Sequence, residues 1–425
     1  MRLLNAETRR LETFFGDEIP KYAILSHTWG DDEVLYEDIC DPLKPLPLSK
    51  PGFLKIDFTC KQALLDNYRY AWVDTCCIDK QSSAELSEAI NSMFLWYLNA
   101  EICYAYLADV TFNPSDGSAR GRFEDSRWFT RGWTLQELIA PRNVQFFDSQ
   151  WSFLGYRQPQ ALHSDRKFLL ETRDCLSKNI HERTGVPTNV LLWNAPSEDV
   201  MEQWLFPKSN KERLDKVLHR CSVAQKMSWA SRRSTKRIED EAYSLLGIFG
   251  VHMPLLYGEG RRAFFRLQLE IMGVCDDQSI FAFLQDGQGR GLPEPLLAVS
   301  PAPFANSSDM VHIPPTANIW GKRPVPLLGL SPSSKTVEME MHICPLKSSL
   351  PGNGIPELPE MRYYLAILSS APRLDLDNPT GLVLGTYNVE SGQFYRVESR
   401  SLPVISPLSV KGALMIAFYF RHLAT

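Results

Sequence analysis

Four short apolar runs alternate with three helical segments between residues 22 and 150, and few architectures accept that pattern. The run 22–28 (YAILSHT) is compact and ends in polar residues, as a buried strand entering a loop does. Residues 53–68 then carry apolar side chains at helical intervals, namely Ile56, Cys60, Ala63 and Leu64. A second strand is expected over 70–78 (YAWVDTCCI), followed by a helix that opens on a Ser82/Glu85 capping box. Its stripe of Leu86, Ile90, Met93, Phe94 and Tyr97 reads as core. Residues 102–107 (ICYAYL) and 144–147 (VQFF) are the third and fourth strands. Between them lie a polar loop, 111–125, with Gly117 and Gly121, and a short helix over 131–141. Strands alternating with helices predict a parallel sheet with helices on its faces, an α/β fold. Right-handed crossovers place Ser26, Asp74, the loop after Leu107 and the start of the last helix at one end of that sheet. Open α/β sheets bind their ligands at that end, so Ser26, His27 and Trp29 are expected at the mouth of a site.

The remainder divides by periodicity. Residues 1–20 read as a lead-in with a short strand and a turn. Residues 155–235 are mostly helical and mixed, with a periodic set of Val217, Leu218, Cys221, Ala224 and Met227 over 214–229. The basic run Arg232, Arg233, Lys236 and Arg237 reads as a solvated face. A helix is expected over 238–249, with Glu239, Asp240 and Glu241 favoured in its first turn by the macrodipole and Gly250 ending it. A turn-rich link, 254–260, and an amphipathic helix, 261–272, follow. Beyond about residue 287 proline and glycine rise, and the period shifts towards two, as in 337–343 (VEMEMHI). Further strands are expected over 363–368, 383–387 and 414–420. The expected domains are therefore 1–155 (α/β), 156–285 (helical) and 286–425 (β-rich).

Composition narrows the function. Charged residues make up 22% and the net charge is -5, which gives no footprint for nucleic acid or an anionic membrane. No apolar run reaches the roughly 18 to 20 residues of a membrane span. Nine cysteines without framework spacing, and no convincing signal peptide, point to a cytoplasmic chain without a disulfide scaffold or structural zinc.

The chemistry-bearing stretch is 131–141, RGWTLQELIAP. Trp133 and Glu137 are four residues apart and share a helix face, with Leu135, Leu138 and Ile139 inward and Pro141 ending the helix. A carboxylate beside an indole is partly desolvated, which raises its pKa towards the range of acid–base work. The same spacing also suits a surface glutamate on an amphipathic helix. Asp74, inside an expected strand, needs a partner or a site. His27 reads either as a site residue or as a hydrogen-bonded structural histidine. Cys76 and Cys77, in or at the end of an apolar strand, read as inert thiols. No GxSxG elbow and no phosphate-binding loop is present.

Three blocks, YAILSHTWG (22–30), WVDTCCIDK (72–80) and RGWTLQEL (131–138), resemble in order and spacing those of the fungal heterokaryon-incompatibility, or HET, domain. Residues 238–271 are similar to the region that commonly follows it. The resemblance implies nonself recognition, in which fusion of unlike cells triggers growth arrest or cell death. It also implies partners: self-association and an incompatibility partner protein. The RGWTLQEL block further resembles the tryptophan-x-x-x-glutamate-leucine pattern of TIR domains, which share a flavodoxin-like parallel sheet. That likeness implies NAD as substrate rather than cofactor, cleaved at the nicotinamide–ribose bond, with Glu137 catalytic. The implied substrate-binding set is Ser26, His27, Trp29, Asp74, Arg131 and Trp133. Trp133 would wall the site, and Ser26, His27 and Asp74 would hold ribose or phosphate groups. The competing reading is a non-enzymatic module that signals by self-association.

Overall fold

The computed structural model describes residues 1–111, 123–158, 175–193, 209–284, 293–294, 296–313, 330–331, 336–345, 362–368, 370–373, 380–386, 393–397 and 414–421. The polar loop with Gly117 and Gly121 lies outside the described residues. The chain divides into two compact units, one of residues 1–219, 233–236 and 244–255, the other of 220–232, 237–243 and 256–425.

The first unit is built on a mostly parallel sheet. Its strands are β1 (Arg2–Asn5), β2 (Leu11–Thr13), β3 (Tyr22–His27), β4 (Tyr70–Trp72), β5 (Ile102–Tyr106), β6 (Val144–Phe147) and β7 (Phe153–Tyr156). They lie in the order β2-β1-β4-β3-β5-β6-β7. β3 pairs in parallel with β4 and β5, and β5 with β6. Every residue of β3 and β5 is buried, as strands covered on both faces must be. The lead-in forms a hairpin, β1–β2, which adds antiparallel strands to one edge, while β7 adds one to the other.

The helices of this unit flank the sheet with apolar faces inward. Phe53–Leu65 buries Ile56, Cys60 and Ala63; Ser83–Asn99 buries Ala89, Ile90, Met93, Phe94 and Tyr97. Ser82 caps the second helix by accepting from Glu85 N at 3.3 Å. The other half of the expected capping box is replaced. Glu85 turns to Arg2, Nη2 to Oε2 at 2.6 Å, and accepts from Asp79 N at 2.8 Å. A charge-assisted pair is the stronger bond, so it wins the carboxylate.

Three expectations change. The strand at 70–78 stops at Trp72, and Asp74–Cys77 is a one-turn helix. Aspartate is a poor strand residue but suits a helix N-terminus, and Asp74 takes that place. The set over 214–229 is two helices, Asn210–His219 and Val223–Ala230. Ser222 and Gln225 form a full capping box that starts the second. The helix over 238–249 is likewise two, Asp240–Tyr243 and Leu246–Phe249. In the first unit Gly247 lies so close to Phe94 that an added Cβ would stand 2.1 Å from the Phe94 Cβ.

The second unit contains the helices Val223–Ala230 and Arg262–Val274. Asp277, buried, accepts from Val223 N at 2.7 Å and Ser279 N at 2.9 Å. Its longer strands pair Thr336–Pro345 with both Arg362–Ile367 and Leu414–Arg421, and Gly381–Thr386 with Arg362–Ile367 and Gln393–Val397. Among the described residues no helix is long and apolar enough to cross a membrane.

Candidate functional site

β3 ends on Ser26 and His27, and consecutive strand residues point to opposite faces of a sheet. Two polar clusters grow from this one step. In the first, Ser26 Oγ donates to Glu137 Oε2 at 2.5 Å and accepts from Trp128 Nε1 at 2.8 Å. All three residues are buried. In the second, His27 Nε2 lies 2.8 Å from Asp74 Oδ1. Asp74 Oδ2 accepts from Trp29 Nε1 at 2.9 Å and pairs with Lys80 Nζ at 3.5 Å.

The short helix Thr134–Ile139 that carries Glu137 is fixed at both ends. At its start Thr134 Oγ1 donates to the Arg131 carbonyl at 2.9 Å, and Arg233 Nη1 reaches that carbonyl at 2.8 Å and Thr134 Oγ1 at 2.9 Å. Gly132 N donates to Ser234 O at 2.9 Å. A Cβ on Gly132 would stand 2.5 Å from Thr235 Cγ2, so the approach needs glycine. At its end the buried Arg157 guanidinium donates to the carbonyls of Pro141 at 2.7 Å and Arg142 at 2.8 Å. A cation at a helix C-terminus satisfies carbonyls that have no partner within the helix.

The two carboxylic acids are pushed apart. Burial raises Glu137 to about 8; hydrogen bonds from Ser26 and Tyr97 oppose this, and the charge of Asp74 adds to it. Burial acts on Asp74 in the same direction, but the Lys80 charge and the bonds from His27 and Trp29 overcome it and hold the group well below the usual carboxylate range. His27 is lowered by burial and by the Lys55 charge, so its imidazole is neutral at neutral pH. With Asp74 ionised, the imidazole proton belongs on Nε2. Nδ1 is buried and without a hydrogen-bond partner among the described residues. Lys55 itself is paired with Glu33, whose Oε1 also accepts from Gly30 N at 2.6 Å.

Of the residues expected at a site, the structure brings Ser26 to Glu137, and His27 and Trp29 to Asp74. Arg131 and Trp133 enter through their backbones. The Arg131 carbonyl anchors the helix start, and the Trp133 carbonyl accepts from Glu137 N at 3.4 Å. The indole bonded into the Glu137 cluster is that of Trp128, not Trp133. Four contributors were not singled out from sequence. Trp128 lay in the lead to the helix with no pattern of its own. Tyr97, read as core, donates to Leu25 O at 2.9 Å, and its hydroxyl acts on the Glu137 carboxyl. Lys80 closes the WVDTCCIDK block, and its position beside Asp74 was the available signal. Arg233 corrects the solvated reading of the basic run. It is half-buried and bonded to the helix start, while Arg232, Lys236 and Arg237 are exposed. Cys76 and Cys77 are buried in the one-turn helix, and burial pushes the Cys76 thiol well above its ordinary value, so it is no nucleophile.

Residues 22–120 match the family model described as heterokaryon incompatibility protein (HET). The chain is 42% identical over 282 residues to the vegetative incompatibility protein HET-E-1 of Podospora anserina, a stretch that covers 64% of this chain and 18% of that protein. The chain thus spans less than a fifth of the length of the curated relative it matches. No solved structure matches it. The stretch that carries β3, β4, β5 and Asp74 is accordingly similar to the heterokaryon-incompatibility (HET) domain.

Proposed function

We propose that this chain is an effector of fungal nonself recognition, acting in vegetative or heterokaryon incompatibility to cause growth arrest or cell death, and that it does so by cleaving NAD at the nicotinamide–ribose bond. The first half rests on the family match and on the relative's name. The second rests on one observation: Glu137, buried at the end of the central parallel strand, is held by the Ser26 hydroxyl. The parallel strands run second, first, third, fourth in chain order, the order of flavodoxin-like sheets, whose ligands bind at this end. The TIR-like reading of RGWTLQEL belongs to the same architecture.

The chemistry breaks one bond. The ribose C1′–N bond opens, its electron pair leaves with nicotinamide, and water adds to the oxocarbenium-like carbon. The proton lost by that water needs a base. A carboxylate raised to about 8 suits that role near neutral pH. The positively charged nicotinamide of bound NAD would favour its ionised form. Ser26 holds Glu137 in place, His27 Nδ1 and the Asp74 carboxylate are acceptors suited to ribose hydroxyls, and Trp133 offers a wall.

A second reading has its own support. Ser26 Oγ engages Trp128 and Glu137 at once, so the acid also closes an internal network, and the domain would then signal by self-association without turnover. Full-length wild type and Glu137→Gln, expressed at matched level, separate the two. A fall in cellular NAD with wild type alone supports the enzyme. Equal toxicity from both with NAD unchanged sinks it and leaves the signalling module.

A further inference from the structure

Trp29 is an exposed tryptophan held in place by charged groups. The residue is 37% exposed, yet its indole N–H is fixed on Asp74 at 2.9 Å. The Lys80 ammonium sits 3.5 Å from the ring centroid and the Lys236 ammonium 5.8 Å from it. One residue away, the exposed Arg127 reaches Thr28 Oγ1 at 3.3 Å. Fixing these long side chains costs rotamer entropy, and the part-exposed Lys80–Asp74 pair returns little of it. Fold stability is therefore a weak reason for the arrangement. Recognition is a stronger one, because a preoriented ring lowers the ordering cost of stacking a flat ligand. The charges agree with this. Lys80 answers Asp74, whereas neither Lys236 nor Arg127 has a carboxylate at ion-pair distance among the described residues. Two positive charges beside a part-exposed indole suit a ligand that is both aromatic and anionic.

We propose that Trp29, Lys80, Lys236 and Arg127 form a nucleotide-recognition subsite, with the base stacked on the indole and the phosphates at Lys236 and Arg127. This rests on the NAD reading for its choice of a nucleotide, and it adds to that reading the residues that select the nucleotide portion. Lys80 is the positioning residue of the set, holding the ring.

The test is calorimetric binding of ADP, adenosine and inorganic pyrophosphate to the full chain. ADP is expected to bind more tightly than either fragment. Trp29→Ala should weaken ADP about tenfold, within the range of base–aromatic stacking, while Trp29→Phe keeps most of the affinity. Lys236→Ala should weaken ADP about threefold, flatten its salt dependence and leave adenosine unaffected. Lys178→Ala, a remote exposed lysine, should change nothing. Failure of ADP to bind, ADP binding to Trp29→Ala as to wild type, or pyrophosphate binding as tightly as ADP each overturns the subsite. ADP binding with the expected signatures but no NAD cleavage leaves the subsite standing and removes the NAD reading. NAD cleavage whose KM ignores both Trp29→Ala and Lys236→Ala does the reverse.

Discussion

Glu137 and Asp74 are two carboxylic acids at the end of one strand, held in opposite states. Glu137 meets a serine hydroxyl and a tyrosine hydroxyl in a buried space, and is raised to about 8. Asp74 meets an ammonium, an imidazole N–H and an indole N–H, and stays ionised far below neutral pH. Residue type explains none of this. The strand pleat sends Ser26 one way and His27 the other, and each carries its acid into a different set of partners. Pairs of acids pushed apart by their surroundings are how one fold separates a proton-handling group from a fixed charge. Under the proposed function Glu137 would be the group that exchanges a proton, and Asp74 the group that orients.

The largest expected effect tests that division directly. Glu137→Gln should lower NAD cleavage by about 10²–10⁴-fold, measured as nicotinamide release from the purified chain. Asp74→Asn should mainly raise KM, because it loosens Trp29 and His27 and leaves the proton-handling group in place. If both variants lost kcat equally, the two acids would be one unit and the division would fail.

Stability against pH gives the next effect, with opposite signs for the two acids. Glu137 has an ordinary value of 4.5 and a folded value of about 8. Between these limits the folded chain keeps a proton that the unfolded chain has released. Its contribution is therefore complete below about pH 4.5 and is lost as pH rises to about 8. The loss is a few kcal/mol, with an upper limit of about 5 kcal/mol. Asp74 runs the other way, contributing above its ordinary 3.8 and losing that contribution as pH falls. Denaturant unfolding from about pH 5 to about pH 9 should show wild type weakening and Glu137→Gln nearly flat.

How much of this could be read from the residues differs between the sheet and its end. Apolar runs mark β3, β5 and β6 to within a residue, because strands covered on both faces are mostly apolar along their length. The 70–78 run misled because Val73 and Cys76–Ile78 are as apolar as a strand, and the break depends on one aspartate. At the site, Ser26, His27, Trp29 and Asp74 were legible as polar residues ending apolar runs. Trp128 and Arg233 were not. Trp128 is 102 residues from the serine it bonds, and Arg233 is 102 from the carbonyl it holds, so no local pattern could pair them. Trp133 shows the converse. Its four-residue spacing to Glu137 is real, yet the link is a backbone bond.

Ser26→Ala probes the dry side of the comparison. It removes the hydrogen bond that holds Glu137 down and leaves the Trp128 N–H buried without its acceptor. The expected cost is about 1–3 kcal/mol in unfolding free energy. The pH at which cleavage rises to its plateau should move upward, since the carboxyl loses a bond that favours its ionised form. Unchanged stability together with an unchanged pH limb would show that Ser26 is not what positions the acid.

The smallest effect sharpens the contrast most. Lys80→Met removes the largest charge that keeps Asp74 ionised. Asp74 keeps its bonds from His27 and Trp29 when Lys80 is removed, so the loss of stability should be about 1 kcal/mol. Asp74 nonetheless stays ionised at neutral pH through His27 and Trp29, so its repulsion of Glu137 persists. Asp74→Asn abolishes that repulsion. The pH limb of cleavage should therefore stay in place in Lys80→Met and move downward in Asp74→Asn, though both variants disturb the same cluster. A limb that moved equally in both would mean that the geometry around Asp74, rather than its charge, sets the state of Glu137.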